Sequence, residues 1–533
     1  MRSSNSWGKL TPTRRRFLQM VGGAGGAIAV HNVMEAMGMI ATPAKATEPP
    51  VLQAESGRGT KIAILGAGIA GMTAAYELNK AGYECTILEA QSRAGGRCWS
   101  VRRGDVIEET DSRQVCNFDD DASLYFNPGP ARIPYHHQGI LGYCKAFGVP
   151  MEVIVNENRA AYFQNDGAFG GAPVLNRRVV NDSRGYIAEL LAKALNQNAL
   201  DQELTTEDKE MVLEFVRSFG NLSSDDTYTG TSRAGYTMPP GAMFQSGETN
   251  EPLELSELLK SDFWRYKMHF GEGFNQAATM LQPVGGMDQI AKAFERQVGD
   301  MIEYNAVVQQ IRKTAEGVRI VYTDASGSEQ ALDAEFAICT LPLTVLAGMD
   351  TDLSPGFKSA IASCDYNNAV KVAFQCDRRF WEEDYQIYGG ISWIDQPITQ
   401  VWYPSGGFHN QKGIIVGAYI WDNEVSDVFA AQSLEQRLEQ AIAEGNRIHP
   451  NYGTEVDRST GMSIGWGKIP YQVGGWAEWS SEARESFYPV LTEPDGPIYL
   501  AGEHMSYLTG WQEGSVLSAH HVVEAIAART QPT

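Results

Sequence analysis

Cysteine is scarce and unpaired in this sequence. The seven cysteines, Cys85, Cys98, Cys116, Cys144, Cys339, Cys364 and Cys376, are scattered over 533 residues, and no two stand in a C-x-x-C pair. That spacing argues against a zinc site and against a disulfide framework, and the odd number leaves at least one thiol free. No metal is expected. Positive charge is short as well: 43 Lys+Arg against 65 Asp+Glu give a net charge of −22. So acidic a chain repels phosphate backbones and anionic membranes, which disfavours nucleic-acid binding. Long apolar runs are missing too. The N-terminal candidate, Phe17–Val30, is too short and too weakly apolar to span a bilayer stably. There is no internal repeat. What remains is an ordinary globular composition, 43% hydrophobic and 20% charged, in a chain longer than one hydrophobic core normally serves.

The N-terminus is of a different material. A basic start, "TPTRRRFLQM", precedes the Gly/Ala-rich run "VGGAGGAIAV", and "ATPAKA" ends at Ala46 as a small-x-small cleavage signature. Thr13-Arg14-Arg15-Arg16-Phe17-Leu18 resembles a twin-arginine export signal. This reading makes 1–46 a signal peptide and 47–59 a linker. It implies the twin-arginine export machinery as a partner and a periplasmic or secreted location, without stable membrane insertion. Folding before export, in a reducing cytoplasm, fits the unpaired cysteines.

The most informative stretch is "KIAILGAGIAGMTAAYELNKAGYECTILEA". Ile62, Ala63, Ile64 and Leu65 suit a buried parallel strand. Gly66, Gly68 and Gly71 follow in G-x-G-x-x-G spacing. The first permits the tight turn, the second lets the backbone approach a pyrophosphate, and the third lets the helix lie close to the sheet. The helix then stops at Ala81-Gly82, and its N-terminus, with Ile69 and Ala70, presents free N–H groups to phosphate. A second strand, Glu84–Leu88, ends in Glu89, whose carboxylate can accept both ribose hydroxyls, with Ala90 beside it. Strand, triplet, helix, strand and terminal acid within thirty residues predict a Rossmann-like dinucleotide site.

Immediately downstream, Gly95-Gly96-Arg97 resembles the second phosphate-binding turn of the flavin amine oxidase family, which is specific for FAD. Other blocks resemble the same family: "PVGGMDQIAKAF" at 283–294, "NAVVQQI" at 305–311, "AICTLP" at 337–342 and "IYLAGEHMSYLTGWQEGSVLSAHHVVEAI" at 498–526. The resemblance implies that Arg97 neutralises the pyrophosphate and that the Val308 backbone meets the adenine. It implies that Gly502 and Glu503 contact the ribityl or phosphate region, and that Gly510 and Trp511 lie along the flavin ring. The helix starting near Gly514-Ser515 would aim its positive end at the flavin.

Within that family "GPARIP" resembles the block of L-amino acid oxidases, of a bacterial, twin-arginine-exported kind. There an arginine, here Arg132, clamps the substrate carboxylate, and Gly129, Pro130 and Ala131 border the cofactor. A planar guanidinium suits a carboxylate because it donates two parallel hydrogen bonds. Pro130 and Pro134 stiffen the segment around it. An ion pair is the alternative reading of Arg132. The resemblance further assigns Tyr419 to the carboxylate, Lys371 to a water at the flavin, and Trp466 and Gly475-Trp476 to the aromatic wall. Core packing is the alternative for Tyr419 and the tryptophans. Trp264, Tyr403 and Trp466 suggest a large apolar substrate. His269 falls outside any matching motif and is given no catalytic role; His136 and His137 are expected at the cap of the helix after Pro134.

The expected fold is α/β. A discontinuous Rossmann-like FAD-binding domain (60–115, 285–345, 490–528) joins a mainly β substrate domain (120–160, 347–485) and a helical lobe (165–280). "VKVAFQC", "TQVWYP" and "IIVGAYI" read as strands. Ser433 and Gln436 form a capping box for a helix with Leu434, Leu438 and Ile442 on one face. The expected activity is FAD-dependent oxidation of L-amino acids by O2 to 2-oxo acids, ammonia and hydrogen peroxide, by a homodimer. The alternatives are an amide-forming amino-acid 2-monooxygenase, a polyamine or monoamine oxidase, and a non-enzymatic FAD-binding electron-transfer protein.

Overall fold

Five parallel strands, drawn from three distant stretches of chain, make the central sheet. Their order is Ile302–Tyr304, Glu84–Glu89, Lys61–Leu65, Phe336–Cys339 and Ile498–Leu500. In this computed structural model residues 48–197, 200 and 203–530 are described. The signal peptide expected over 1–46 therefore lies outside the described residues.

The middle strand shows why the sheet is covered on both sides. Successive side chains point to opposite faces. Ile62 and Ile64 join one buried cluster with the helices Ile69–Lys80, Asp288–Val298 and Gln512–Thr530. Ala63 and Leu65 join another, beneath a small sheet containing Val307–Lys313. Ile64 stands opposite Ile87 on one side and Ile338 on the other. The glycine-triplet helix spans Ile69–Lys80, with Gly68 at its N-cap, and ends before Gly82 at φ +88°.

A seven-stranded sheet forms the second layer system, in the order Val456–Gly465, Val370–Cys376, Gly413–Ile420, Gln400–Tyr403, Gly390–Ile394, Tyr162–Gln164 and Val174–Leu175. The second and third of these run antiparallel, with Lys371 opposite Tyr419. Helix Leu434–Gly445 packs on this sheet, and both halves of its Ser433–Gln436 capping box are formed. Its Arg437 is buried and grips Glu109 with two parallel bonds of 2.9 and 2.8 Å.

The helical lobe expected over 165–280 is less helical than that. Residues 174–175 join the sheet, and the long helices are Asn176–Asn196 and Thr206–Gly220. Beyond them Leu255–Lys260 is the one α-helix before residue 280, because Pro239-Pro240, Gly241 and Gly247 interrupt the chain with turns. All seven cysteines are free; six are buried and Cys85 is half-buried. No helix among the described residues is long and apolar enough to cross a membrane.

Candidate active site

The first βα turn forms a cradle. Gly66 sits at φ +102°, where a side chain would be strained. A Cβ on Gly68 would point into open space, with no atom within 4 Å. One on Gly71 would collide with the Gly66 carbonyl, so that glycine permits helix–sheet contact. Glu89, at the end of its strand, accepts from the Ala67 amide at 2.7 Å and the Gln91 amide at 2.9 Å. Burial raises its pKa against the pull of those two donors. The Gly95 amide donates to the Ala67 carbonyl at 2.8 Å and locks the second glycine turn against the first.

These turns open on a cavity with about 1130 Å³ of empty space, the solvent at its mouth included. Gly66, Gly68, Ile69, Ala70, Glu89, Ala90, Gly96, Arg97, Gly129, Pro130, Tyr419, Trp466, Gly502, Glu503, Gly510, Trp511 and Ser515 all line it. Gly71, Ala131, Arg132, Val308 and Lys371 do not. Val308 lies half-buried in strand Val307–Lys313, opposite Tyr322. Arg97 donates to the Gly475 carbonyl at 2.6 Å and pairs with Glu503 at 2.9 Å. Glu503 in turn accepts from the Ala477 and Gly510 amides, so it orders the wall of the cavity. Trp466 is fixed by its indole N–H, which donates to the Pro128 carbonyl at 2.9 Å. The helix placed near Gly514 begins at Gln512, two residues earlier, because Trp511 already closes a turn onto the Leu508 carbonyl.

Sequence reasoning missed several lining residues: Cys98, Thr340, Leu341, Pro342, Tyr471, Gln472 and Gln512. A signal existed for Thr340. It follows a central parallel strand, and ligands of open α/β sheets bind beyond the carboxyl ends of such strands. Tyr471 and Gln472 belong to an irregular loop with no periodic pattern to mark them.

Arg132 lies one step from this cavity. It lines an adjoining space of about 800 Å³ with His137, Gln276 and Trp421, and the two spaces share Tyr419, Trp476, Gly510 and Trp511. Arg132 is 9% exposed. Its Nε donates to the Gln276 side-chain oxygen at 3.1 Å, and the Trp402, Phe270 and Trp511 rings stand 4.6, 5.6 and 5.7 Å away. Among the described residues no carboxylate pairs with it. Burial without a counter-charge pushes its pKa down to about 10. Burial raises the Tyr419 hydroxyl, and the Arg132 charge opposes that rise. Tyr419 packs edge-on against Trp402 and Trp421 at 5.4 and 5.3 Å.

Trp466 and Trp476 line the cofactor cavity, and Trp476 the arginine cavity as well, whereas Trp264 and Tyr403 line neither. Trp264 is 45% exposed and donates to the Leu259 carbonyl. Tyr403 is tied to Ser392 and His449 in the sheet interior. Around the Arg132 guanidinium stand Trp402, Phe270 and Trp511, and Trp421 lines its cavity, all from separate elements. His269 is at the surface, 3.3 Å from Glu272. The expected histidine cap is absent: His137 occupies the N-cap of helix Gln138–Ala146 without a capping bond. His136 and His137 instead share the Asn275 side-chain oxygen at 2.9 and 3.2 Å.

Lys371 faces a third cavity, with Asn127, Ala131 and Trp402. Its Nζ donates to the Asn127 and Gly129 carbonyls at 3.0 and 2.7 Å and stands 4.2 Å from the Tyr419 ring centre. Burial, reinforced by Arg132, lowers its pKa well below the lysine range. The amine thus ties down the segment that leads to Arg132. Lys371→Met should lower the melting temperature of the holoprotein, because stranding buried acceptors costs about 1–3 kcal/mol. An unchanged melting curve would show that solvent reaches those carbonyls.

Residues 69–527 match the flavin-containing amine oxidoreductase family. The chain belongs to that family. The protein is thus a flavin-dependent amine oxidoreductase, and membership implies FAD as cofactor and a small-molecule amine and O2 as reactants. The L-amino-acid oxidase of Pseudechis australis is 27% identical over 476 residues, covering 86% of this chain and 85% of its own. The Bacillus subtilis (strain 168) protein YobN, provisionally named an L-amino-acid oxidase, is 28% identical over 481 residues, covering 86% and 93%. Among solved structures, putrescine oxidase bound to putrescine has a TM-score of 0.60 at 17% identity, covering 88% of this chain and 99% of that one. Cyclohexylamine oxidase from Brevibacterium oxydans IH-35A has a TM-score of 0.60 at 16% identity, covering 89% and 100%. These two likenesses establish the α/β amine oxidase fold. The cradle fits the family's cofactor, since Gly68 faces open space where a pyrophosphate needs close backbone approach and Glu89 closes the neighbouring strand.

Proposed function

We propose that this amine oxidoreductase acts on L-amino acids with large apolar side chains, converting amino acid, O2 and water into 2-oxo acid, ammonia and hydrogen peroxide. One observation carries the reading: Arg132 is a buried guanidinium without an acidic partner among the described residues, beside the cofactor cavity. A buried charge is costly unless paired, and an incoming carboxylate would pair it. A simple amine would leave that cost unmet. The L-amino-acid oxidases among the relatives support the same reading.

Bound FAD would supply a two-electron acceptor that passes its electrons to dioxygen. Gly66, Gly68 and the helix after them would hold its phosphates, and Glu89 its ribose. Arg132 and the Tyr419 hydroxyl would fix the substrate carboxylate, which turns the Cα–H toward the cofactor. Holding the reacting atoms in one geometry can remove several kcal/mol from the barrier. Trp421, Trp476 and Trp511, which line the arginine cavity, would exclude water from the substrate side chain. No carboxylate lines the arginine cavity, so basic side chains and diamines lack a counter-charge there.

The test is a peroxide assay of the holoenzyme across the twenty L-amino acids, with product mass spectrometry. Aromatic and large aliphatic amino acids should yield 2-oxo acid and peroxide together. An amide product would indicate the monooxygenase reaction. Peroxide from decarboxylated amines but not from amino acids would overturn the proposal.

A further inference from the structure

Helix Gln138–Ala146 starts six residues after Arg132, and its own N-cap residue supplies no capping bond. The capping group comes from the far end of the chain. Glu513 accepts from the Gly139 amide at 2.9 Å through one carboxylate oxygen and from the Ile140 amide at 2.8 Å through the other. Glu513 is 2% exposed, and a Cβ on Gly139 would press on it at 3.0 Å, so the fit leaves little slack.

Glu513 is also the second residue of helix Gln512–Thr530. Its neighbours Trp511, Gln512 and Ser515 line the cofactor cavity. One carboxylate therefore joins the positive ends of two helices, each of which favours a negative charge. One helix carries the cofactor wall and the other continues from the arginine. Between Arg132 and the capped turn the chain has little freedom, because Ile133–Pro134 is paired with strand Met280–Pro283. The His137 ring also packs edge-on against Trp511 at 5.1 Å. A second tie lies one turn further on, where the Tyr143 hydroxyl bonds Glu77 and His520 at 2.7 Å each.

We propose that Glu513 is a positioning residue: it holds the Arg132 segment in register with the cofactor-facing helix and so sets where the substrate carboxylate is received. This rests on the reading of Arg132 as the carboxylate receptor. It acts through two backbone amides and lines neither the cofactor cavity nor the arginine cavity.

The experiment is calorimetric titration of holoenzyme with benzoate, which offers a carboxylate and an apolar ring but no reactive amine. Four proteins are compared: wild type, Glu513→Gln, Tyr143→Phe and Arg132→Ala. Glu513→Gln keeps one acceptor and loses the other. It should raise the benzoate Kd about tenfold, the scale of one hydrogen bond to a charged group. It should raise the amino-acid KM similarly and keep its bound FAD. Tyr143→Phe loosens the same helix pair away from the arginine and should lower the melting temperature with benzoate affinity within twofold. If Glu513→Gln gives no holoenzyme, Glu513→Asp, with the charge kept and the reach shortened, should shift Kd in the same direction. The proposal is overturned if the Glu513 variant binds benzoate as wild type does, or if Tyr143→Phe weakens it equally. Should Arg132→Ala leave benzoate binding intact, the carboxylate reading fails and this inference with it. Loss of affinity in Arg132→Ala but not in the Glu513 variant overturns the positioning role alone.

Discussion

Arg132→Ala should lower kcat/KM for amino acids by about 2–5 kcal/mol of transition-state stabilisation, the range for truncating one partner of a buried charge-assisted pair. KM should rise with it. The FAD content and visible spectrum should stay nearly unchanged, because Arg132 does not line the cofactor cavity. Gln276 would lose the guanidinium as a donor to its side-chain oxygen but keep the Asn156 amide, 3.5 Å from the same oxygen. Arg132→Lys should recover only part of the activity, since an ammonium cannot offer two parallel N–H donors. Steady-state kinetics on a large apolar amino acid, with the spectrum recorded alongside, decides the matter. If the alanine variant loses FAD or unfolds while its remaining holoenzyme keeps the wild-type KM, the guanidinium is structural.

Gly68→Val should give a folded protein that purifies without FAD. The structure separates the two outcomes. A side chain at Gly68 meets no protein atom within 4 Å, so the chain itself tolerates it. That free space is the cradle beside the helix N-terminus, and an isopropyl group would fill it. Valine at the N-cap also removes the close backbone approach that a pyrophosphate requires. Absorbance of the flavin bands, measured against protein concentration, reads the result, and circular dichroism checks the fold. A yellow Gly68→Val protein would place the phosphates elsewhere.

What could be read from the sequence was local. The glycine triplet, its strands and Glu89 fall within thirty residues, and each is dictated by short-range geometry. The Ser433–Gln436 cap spans four residues and needs no tertiary partner. Arg132 could be singled out because its stiffening prolines are adjacent. The rest depended on pairings that no local pattern announces. Glu513 caps a helix 374 residues away. The rings around Arg132 and Tyr419 come from 270, 402, 421 and 511, whereas the tryptophan of "DFWRYK" turned outward to solvent. Lys371 could be recognised as out of place in an apolar strand, but its partners, two carbonyls near residue 128, could not. Burial of Arg132 without an acid is likewise a property of the folded interior and has no counterpart in composition.

The free cysteines bear on how the protein survives its own reaction. Hydrogen peroxide, which the proposed reaction releases, oxidises cysteine chiefly through the thiolate and not the thiol. Burial pushes all seven thiols upward, to about 11 for Cys116 and about 12 for Cys98, Cys144, Cys339 and Cys364. At neutral pH a thiol of pKa near 11 is ionised about one part in ten thousand. Cys98 is the telling case, because it borders the cofactor cavity and yet donates to the Met287 carbonyl at 3.2 Å as a protonated thiol. Each cysteine is thereby kept in the protonated form, which the peroxide of the proposed reaction attacks most slowly, without a single disulfide among the described residues.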